Sequence, residues 1–200
     1  MRVALFGGSF NPPHVGHQLL ALYVLETANV DQLWFVPAFQ HPFHKALETF
    51  EDRRAMCERT VAALGPRARV SDVEARLGGA SLTLRTVQRL MEDHPDHSFS
   101  LVIGSDLVAE TDSWHGISEL RRLVDFIIVQ RGGHAGARAG DGTAPVMMPE
   151  ISSSEIRAAL AAGQSLATTR WIPRRVLDYI TERRLYGTGP SALDPAPDSD

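Results

Sequence analysis

The strongest constraint on this chain lies in its first 28 residues. An apolar run of strand type, Val3-Ala4-Leu5-Phe6, meets Gly7-Gly8, passes through a polar turn with Pro12 and Pro13, and continues into an apolar segment of helical period at about 16–28. A strand leading through paired glycines into a helix is a building unit of open α/β sheets, which bind ligands beyond the carboxyl ends of their strands. Gly7 and Gly8 let backbone amides approach a phosphate closely, and a helix beginning near Val15-Gly16 adds the positive end of its dipole. His14 and His17, three residues apart, flank that site.

The rest of the chain repeats the alternation. Strands are predicted at Leu33–Val36, Phe99–Ile103, Phe126–Val129 and Val146–Met148, with a weaker one at Arg69–Val73; helices are predicted at about 50–64, 82–93, 117–123, 154–162 and 174–184. Gly65-Pro66 stops one helix and Pro173 can start the last. The expected fold is therefore one doubly wound, Rossmann-like α/β domain over residues 1–187, with a mainly parallel sheet and helices on both faces. Residues 132–144 read as a mobile glycine-rich surface loop and 188–200 as a disordered tail.

A length of 200 residues at 44% hydrophobic content suits one core. A formal net charge of -4 and a pI near 6.1 argue against a general nucleic-acid binder, which needs a concentrated basic surface. The single Cys57 excludes an internal disulfide and no Cys/His spacing suggests structural zinc, so a reducing cytoplasm is the expectation. The first six residues are too short for a signal peptide, and no apolar run reaches membrane-spanning length. Oligomeric state is not fixed by the sequence, and a homo-oligomer is compatible with it.

The stretch Gly7-Gly8-Ser9-Phe10-Asn11-Pro12-Pro13-His14-Val15-Gly16-His17 is neither a dinucleotide fingerprint nor a P-loop, because the required glycines and the Gly-Lys-Ser/Thr ending are missing. Read alone, the two histidines could cap a helix or fill a core gap; a dinuclear metal site would need carboxylates that do not accompany them. The stretch closely resembles the signature of the His-x-Gly-His nucleotidylyltransferase superfamily, specifically the bacterial nicotinate-nucleotide adenylyltransferases. The resemblance runs over about residues 1–187. It implies adenylyl transfer from ATP to nicotinate mononucleotide, giving nicotinate adenine dinucleotide and pyrophosphate, with His14 and His17 catalytic and Gly7, Gly8, Ser9, Phe10 and Gly16 at ATP.

A second element, Ile151-Ser152-Ser153-Ser154-Glu155-Ile156-Arg157, starts a short helix with capping-box spacing between Ser152 and Glu155. By itself this is an ordinary helix start. It resembles the Ile-Ser-Ser-Thr-x-x-Arg element of the same family, with serine for threonine at 154, which implies that Ile151, Ser152, Ser153, Ser154 and Arg157 hold the β- and γ-phosphates. Free amides, hydroxyls and an arginine fork suit that task.

Further matches at Ile103-Gly104-Ser105-Asp106, Pro42-Phe43-His44-Lys45, Ser81-Leu82-Thr83, Trp114 and Arg131 imply the remaining site. Gly104 and Asp106 join the ATP set, while Asn11, His44, Lys45, Thr83, Trp114, His115 and Arg131 form the acceptor set, with Trp114 stacking on the pyridine ring. Trp114 follows a polar run beyond a strand end, which places it near the ligand-binding edge. The chain departs from the family pattern at Leu82, where tyrosine is usual, and at Asn11, Phe43 and His115, all near the acceptor. Mg²⁺ is expected with ATP, bridging phosphate oxygens, with no protein ligand named. Competing readings are transfer to nicotinamide mononucleotide or phosphopantetheine, or a nucleotide-sensing module without turnover.

Overall fold

Five apolar segments pair as parallel strands: β1 (Arg2–Gly8), β2 (Gln32–Pro37), β3 (Ala68–Val70), β4 (Ser98–Gly104) and β5 (Asp125–Val129), in the order β3-β2-β1-β4-β5. The computed structural model describes residues 1–40, 47–130, 148–149, 151–163 and 169–188. Within them the helices are α1 (Val15–Thr27), α2 (Phe50–Val61), α3 (Val73–Leu77), α4 (Thr83–Asp93), α5 (Ile117–Leu123), α6 (Ser153–Ala161) and α7 (Arg174–Arg183).

Strand side chains alternate between faces, and both faces are covered, which explains why β1, β2 and β4 read as near-continuous apolar runs. Ala4, Phe6, Leu33, Phe35 and Val102 pack with Leu20 and Val24 of α1 and with Cys57 and Val61 of α2. Val3, Leu5, Trp34, Val36 and Leu101 pack on the other side with Val73, Val87, Leu90 and Leu120, from α3, α4 and α5. A third cluster joins Met56 of α2 to Ile156 and Leu160 of α6 and to Val176 and Ile180 of α7. The C-terminal helices thus dock on α2, and the doubly wound expectation holds.

The register shows where this sheet can hold a ligand. Pairing between β1 and β4 runs from Arg2↔Ser98 to Leu5↔Leu101 and stops, yet β1 stays paired with β2 to Gly8↔Pro37 and β4 with β5 to Gly104↔Val129. The two central strands therefore diverge beyond Leu5 and Leu101. That gap lies at the point where strand order reverses, the site expected for ligands in open α/β sheets.

Local differences from expectation have local causes. The strand expected over Arg69–Val73 ends at Val70. Ser71 N–H donates to Phe35 O (2.8 Å), and Ser71 Oγ accepts the Val73 N–H (3.4 Å), turning the chain so that Val73 opens α3 and enters the core. The polar run before Trp114 forms two 3₁₀ turns, Ser105–Leu107 and Ala109–Ser113. Thr188, expected to begin the tail, is instead 3% exposed, its hydroxyl bonded to Leu185 O and Ile180 O. Of the strand expected at Val146–Met148 only Met148 is described; the 132–144 loop and residues 189–200 lie outside the described residues. No described helix is long and apolar enough to cross a membrane.

Candidate active site

A cavity of about 570 Å³ fills the gap between β1 and β4. One wall is the turn after β1, with Gly7, Gly8 and Ser9, joined by His17 from the first turn of α1. Gly104 and Asp106 at the end of β4 form the opposite wall, and Thr83, Trp114 and His115 close one end. Nine of the residues expected at ATP or the acceptor are thereby brought to one space. Trp114 is half-buried: it packs on the core of α4 and α5 while also lining the cavity.

His14 stands outside the cavity lining and shapes it from beneath. It is the N-cap of α1 in extended conformation, only 3% exposed, with its ring 3.7 Å from that of His17. Its backbone N–H donates to His17 Nδ1 at 3.0 Å. An accepting Nδ1 carries no proton, so a neutral His17 ring carries its proton on Nε2. Phe6 and Phe10 collar the His17 ring at 5.7 and 5.0 Å between centroids. Gly16 fits this packing because any Cβ there would lie 3.0 Å from the His14 ring.

Gly8 is required by Phe10. A Cβ at Gly8 would meet the Phe10 ring at 3.1 Å. Phe10 itself is 2% exposed with φ of 47°, a left-handed conformation that costs a bulky residue about 1–3 kcal/mol and persists only where the surroundings impose it. It was expected at ATP through its motif, and the structure uses its ring as the floor under Gly8 and His17.

Asn11, expected at the acceptor, is 2% exposed and faces inward. Its Oδ1 accepts from Tyr186 Oη (2.8 Å) and from the Glu48 N–H (3.3 Å), which ties the amide oxygen to the fold. The serine element lies against the same turn. Ser152 caps α6 by accepting the Ser154 N–H at 3.2 Å, and Ser153 Oγ donates to Pro12 O at 2.9 Å. Arg157 donates to Asn11 O at 2.7 Å and to Ser154 Oγ at 3.2 Å. Ile151 Cδ1 lies 3.4 Å from the Cβ position of Gly16, so the two motifs from opposite ends of the chain are in contact. His44, Lys45 and Arg131 lie outside the described residues.

Residues that local motifs do not reveal also reach the site. Glu74 of α3 and Thr86 of α4 line the cavity, and the Thr86 hydroxyl donates to the Glu74 carboxylate. Arg53 of α2 supports the turn after β1 from inside. Its signal was its place at i+3 on the apolar stripe Phe50, Arg53, Cys57, Thr60, where a charge is out of pattern. Cys57 lies in the core and burial raises its thiol well above the ordinary range, so it is no nucleophile for this site.

The arrangement can hold an extended polyphosphate along amides and an imidazole, next to an aromatic surface for a flat ring. Comparison with known proteins gives the family. Residues 5–159 match the family model described as Cytidylyltransferase-like. A protein of Anaeromyxobacter dehalogenans (strain 2CP-C) named "probable nicotinate-nucleotide adenylyltransferase" is 42% identical, over 92% of this chain and 96% of its own length. A protein of the same name from Myxococcus xanthus (strain DK1622) is 37% identical, over 94% and 95%. The fold matches that of a Plasmodium falciparum nicotinic acid mononucleotide adenylyltransferase complexed with NaAD, with a TM-score of 0.76 at 22% identity, over 94% of this chain and 98% of that one. The chain thus belongs to the cytidylyltransferase-like family, among the nicotinate-nucleotide adenylyltransferases.

Proposed function

We propose that this protein transfers the adenylyl group of ATP to nicotinate mononucleotide, giving nicotinate adenine dinucleotide and pyrophosphate as a step of NAD biosynthesis. The observation that carries this reading is the single cavity shared by the glycine turn and His17 on one side and by Trp114 and Thr83 on the other. A phosphate oxygen of the acceptor attacks the α-phosphorus of ATP in line; the new phosphoanhydride forms as the bond to the β-phosphate oxygen breaks, and pyrophosphate leaves. No covalent enzyme intermediate is needed. Alignment and charge stabilisation supply the acceleration in such reactions.

In this scheme His17 donates from Nε2 to the α-phosphate region, and His14 holds His17 in the donating tautomer through its backbone N–H. Ser152, Ser153, Ser154 and Arg157 hold the β- and γ-phosphates. Mg²⁺, when bound with ATP, would neutralise phosphate charge. A phosphate-borne ion fits this site, because Asp106 lines the same cavity as the phosphate turn, from its opposite wall, and would hold such an ion through water. Cys57, a lone buried thiol, suits the reducing cytoplasm in which we place the enzyme.

Acceptor choice rests on backbone amides near His115 and on those near Thr83, in the first turn of α4. Its N-cap, Leu82, is extended and has no group that can cap the helix, so the first-turn amides near Thr83 remain for a ligand carboxylate. A carboxylate can accept two such bonds, whereas an amide presents a donor there. Nicotinate mononucleotide is therefore expected to show a kcat/KM at least roughly tenfold above that of nicotinamide mononucleotide, about 1.4 kcal/mol of differential transition-state binding. Pyrophosphate release from Mg-ATP with each mononucleotide and with phosphopantetheine measures this. Equal values, or preference for the amide, overturn the acceptor assignment while leaving adenylyl transfer in place.

Arg157→Ala is expected to raise the ATP KM by roughly tenfold or more, the scale of a charge-assisted hydrogen bond, with little change in the acceptor KM. Steady-state kinetics with each substrate varied in turn is the check, and an unchanged ATP KM would remove Arg157 from the phosphate site.

A further inference from the structure

Arg53 is the largest fully buried side chain among the described residues, at 1% exposure. Three of its nitrogens donate to backbone carbonyls: Nε to Glu48 O (3.0 Å), Nη1 to Ser9 O (2.9 Å) and Nη2 to Phe39 O (3.2 Å). Burial lowers its pKa, which shows that the charge is held at a cost. Satisfying a buried cation mainly with neutral carbonyls is an expensive way to fill a core position that an apolar side chain could occupy.

The carbonyls it grips belong to both sides of the cavity. In a trans peptide the C=O and the following N–H point in opposite directions, so drawing Ser9 O inward turns the Phe10 N–H outward, at the residue whose φ is 47°. Phe39 O is drawn in by the same guanidinium. Its neighbours are tied to the far wall, because the Phe39 N–H donates to Ser81 Oγ (2.9 Å) and the Ser81 N–H to Gln40 O (3.0 Å). Ser81 lines the cavity beside Leu82 and Thr83, while Ser9 lines it beside Gly8 and His17.

We infer that Arg53 is a positioning residue that fixes the spacing between the phosphate-binding turn and the acceptor wall; this rests on the adenylyl-transfer reading for its kinetic consequence, though not for its structural one. Lysine cannot replace it, since one ammonium on a flexible stem does not match three carbonyls met by a planar fork. The test compares Arg53→Lys and Arg53→Gln with wild type, and with Arg54→Ala as a control. Arg54 is the next residue on α2, half-exposed and, among the described residues, paired with Glu58 at 3.7 Å. Pyrophosphate release and hydrogen exchange are measured on each protein.

Arg53→Lys is expected to lower kcat by at least about tenfold while both KM values stay within about threefold, because misplacement of reacting groups acts on turnover more than on binding. Amide exchange should rise in peptides covering residues 7–13 and 38–40 and stay unchanged over α4. Arg54→Ala should match wild type in both. A kcat within about twofold of wild type in Arg53→Lys overturns the inference, as does exchange raised evenly through the molecule, the mark of a purely structural core residue. If Arg53→Lys does not fold, Arg53→Gln decides by the same two readings. Were the wild type to release no pyrophosphate with any acceptor, the functional reading would fail, and the exchange pattern alone would still decide whether Arg53 holds the two walls.

Discussion

His17→Ala is expected to lower kcat by about 10²- to 10³-fold, the loss that follows removal of one donor aimed at developing charge. The expectation comes from the tautomer. Because Nδ1 accepts the His14 N–H at 3.0 Å, a neutral ring carries its proton on Nε2, and the side chain lines the cavity with Gly7, Gly8 and Ser9. Phe6 and Phe10 shield two sides of the ring, so a phosphate held there meets this donor in poorly hydrated surroundings. Charge on the bridging and non-bridging oxygens grows only as the bond to pyrophosphate breaks, so the loss should fall on kcat, with the ATP KM moving by less than about tenfold. Steady-state and single-turnover pyrophosphate release would measure it, with circular dichroism confirming the fold. Near-normal turnover in a folded variant would remove His17 from the chemistry, and an equal rise in ATP KM would make it a ground-state binding group.

Much of this was legible in the chain because the signals were local. Paired glycines and two histidines within Gly7–His17 lie close in sequence, and the strand-to-helix junction brings Gly7, Gly8 and His17 to the cavity with His14 against His17. Trp114 was placeable for the same reason, since β4 ends ten residues before it. What escaped depends on distant contacts. Asn11 sits inside the motif, and only the arrival of Tyr186, 175 residues later, shows that its side chain turns inward. Arg53 carries a charge that usually marks a helix surface, and its burial follows from carbonyls contributed by Ser9, Phe39 and Glu48. Val73 was read as strand because an apolar residue near Val70 fits either period; the Ser71 turn sends it into α3 instead.

Trp114→Ala is expected to raise the acceptor KM while leaving the ATP KM nearly unchanged. The indole lies between two environments, one side on the core that includes Leu84 and Leu120 and the other on the cavity. A ring anchored in this way loses little freedom when a second flat ring stacks on it, so most of the contact is retained as affinity. Base stacking on an aromatic side chain is worth about 1–3 kcal/mol, so truncation should cost roughly 5- to 150-fold in acceptor binding. The turn that carries Trp114 is braced independently of the indole, by Arg121 donating to Asp112 Oδ1 at 2.8 Å and by Gly116 in a left-handed conformation against Leu84. Loss of the indole should therefore leave the His115 backbone near its place, and the preference for nicotinate over nicotinamide should survive in the weakened enzyme, because that choice is assigned to backbone amides and not to the ring. Kinetics of Trp114→Ala and Trp114→Phe with both mononucleotides separate the two contributions: phenylalanine should recover part of the lost affinity, and neither variant should change the ratio between acceptors by more than about threefold. An acceptor KM unmoved by Trp114→Ala would make the tryptophan a core residue only, and a collapse of discrimination would move acid-versus-amide recognition from α4 to the stacking wall.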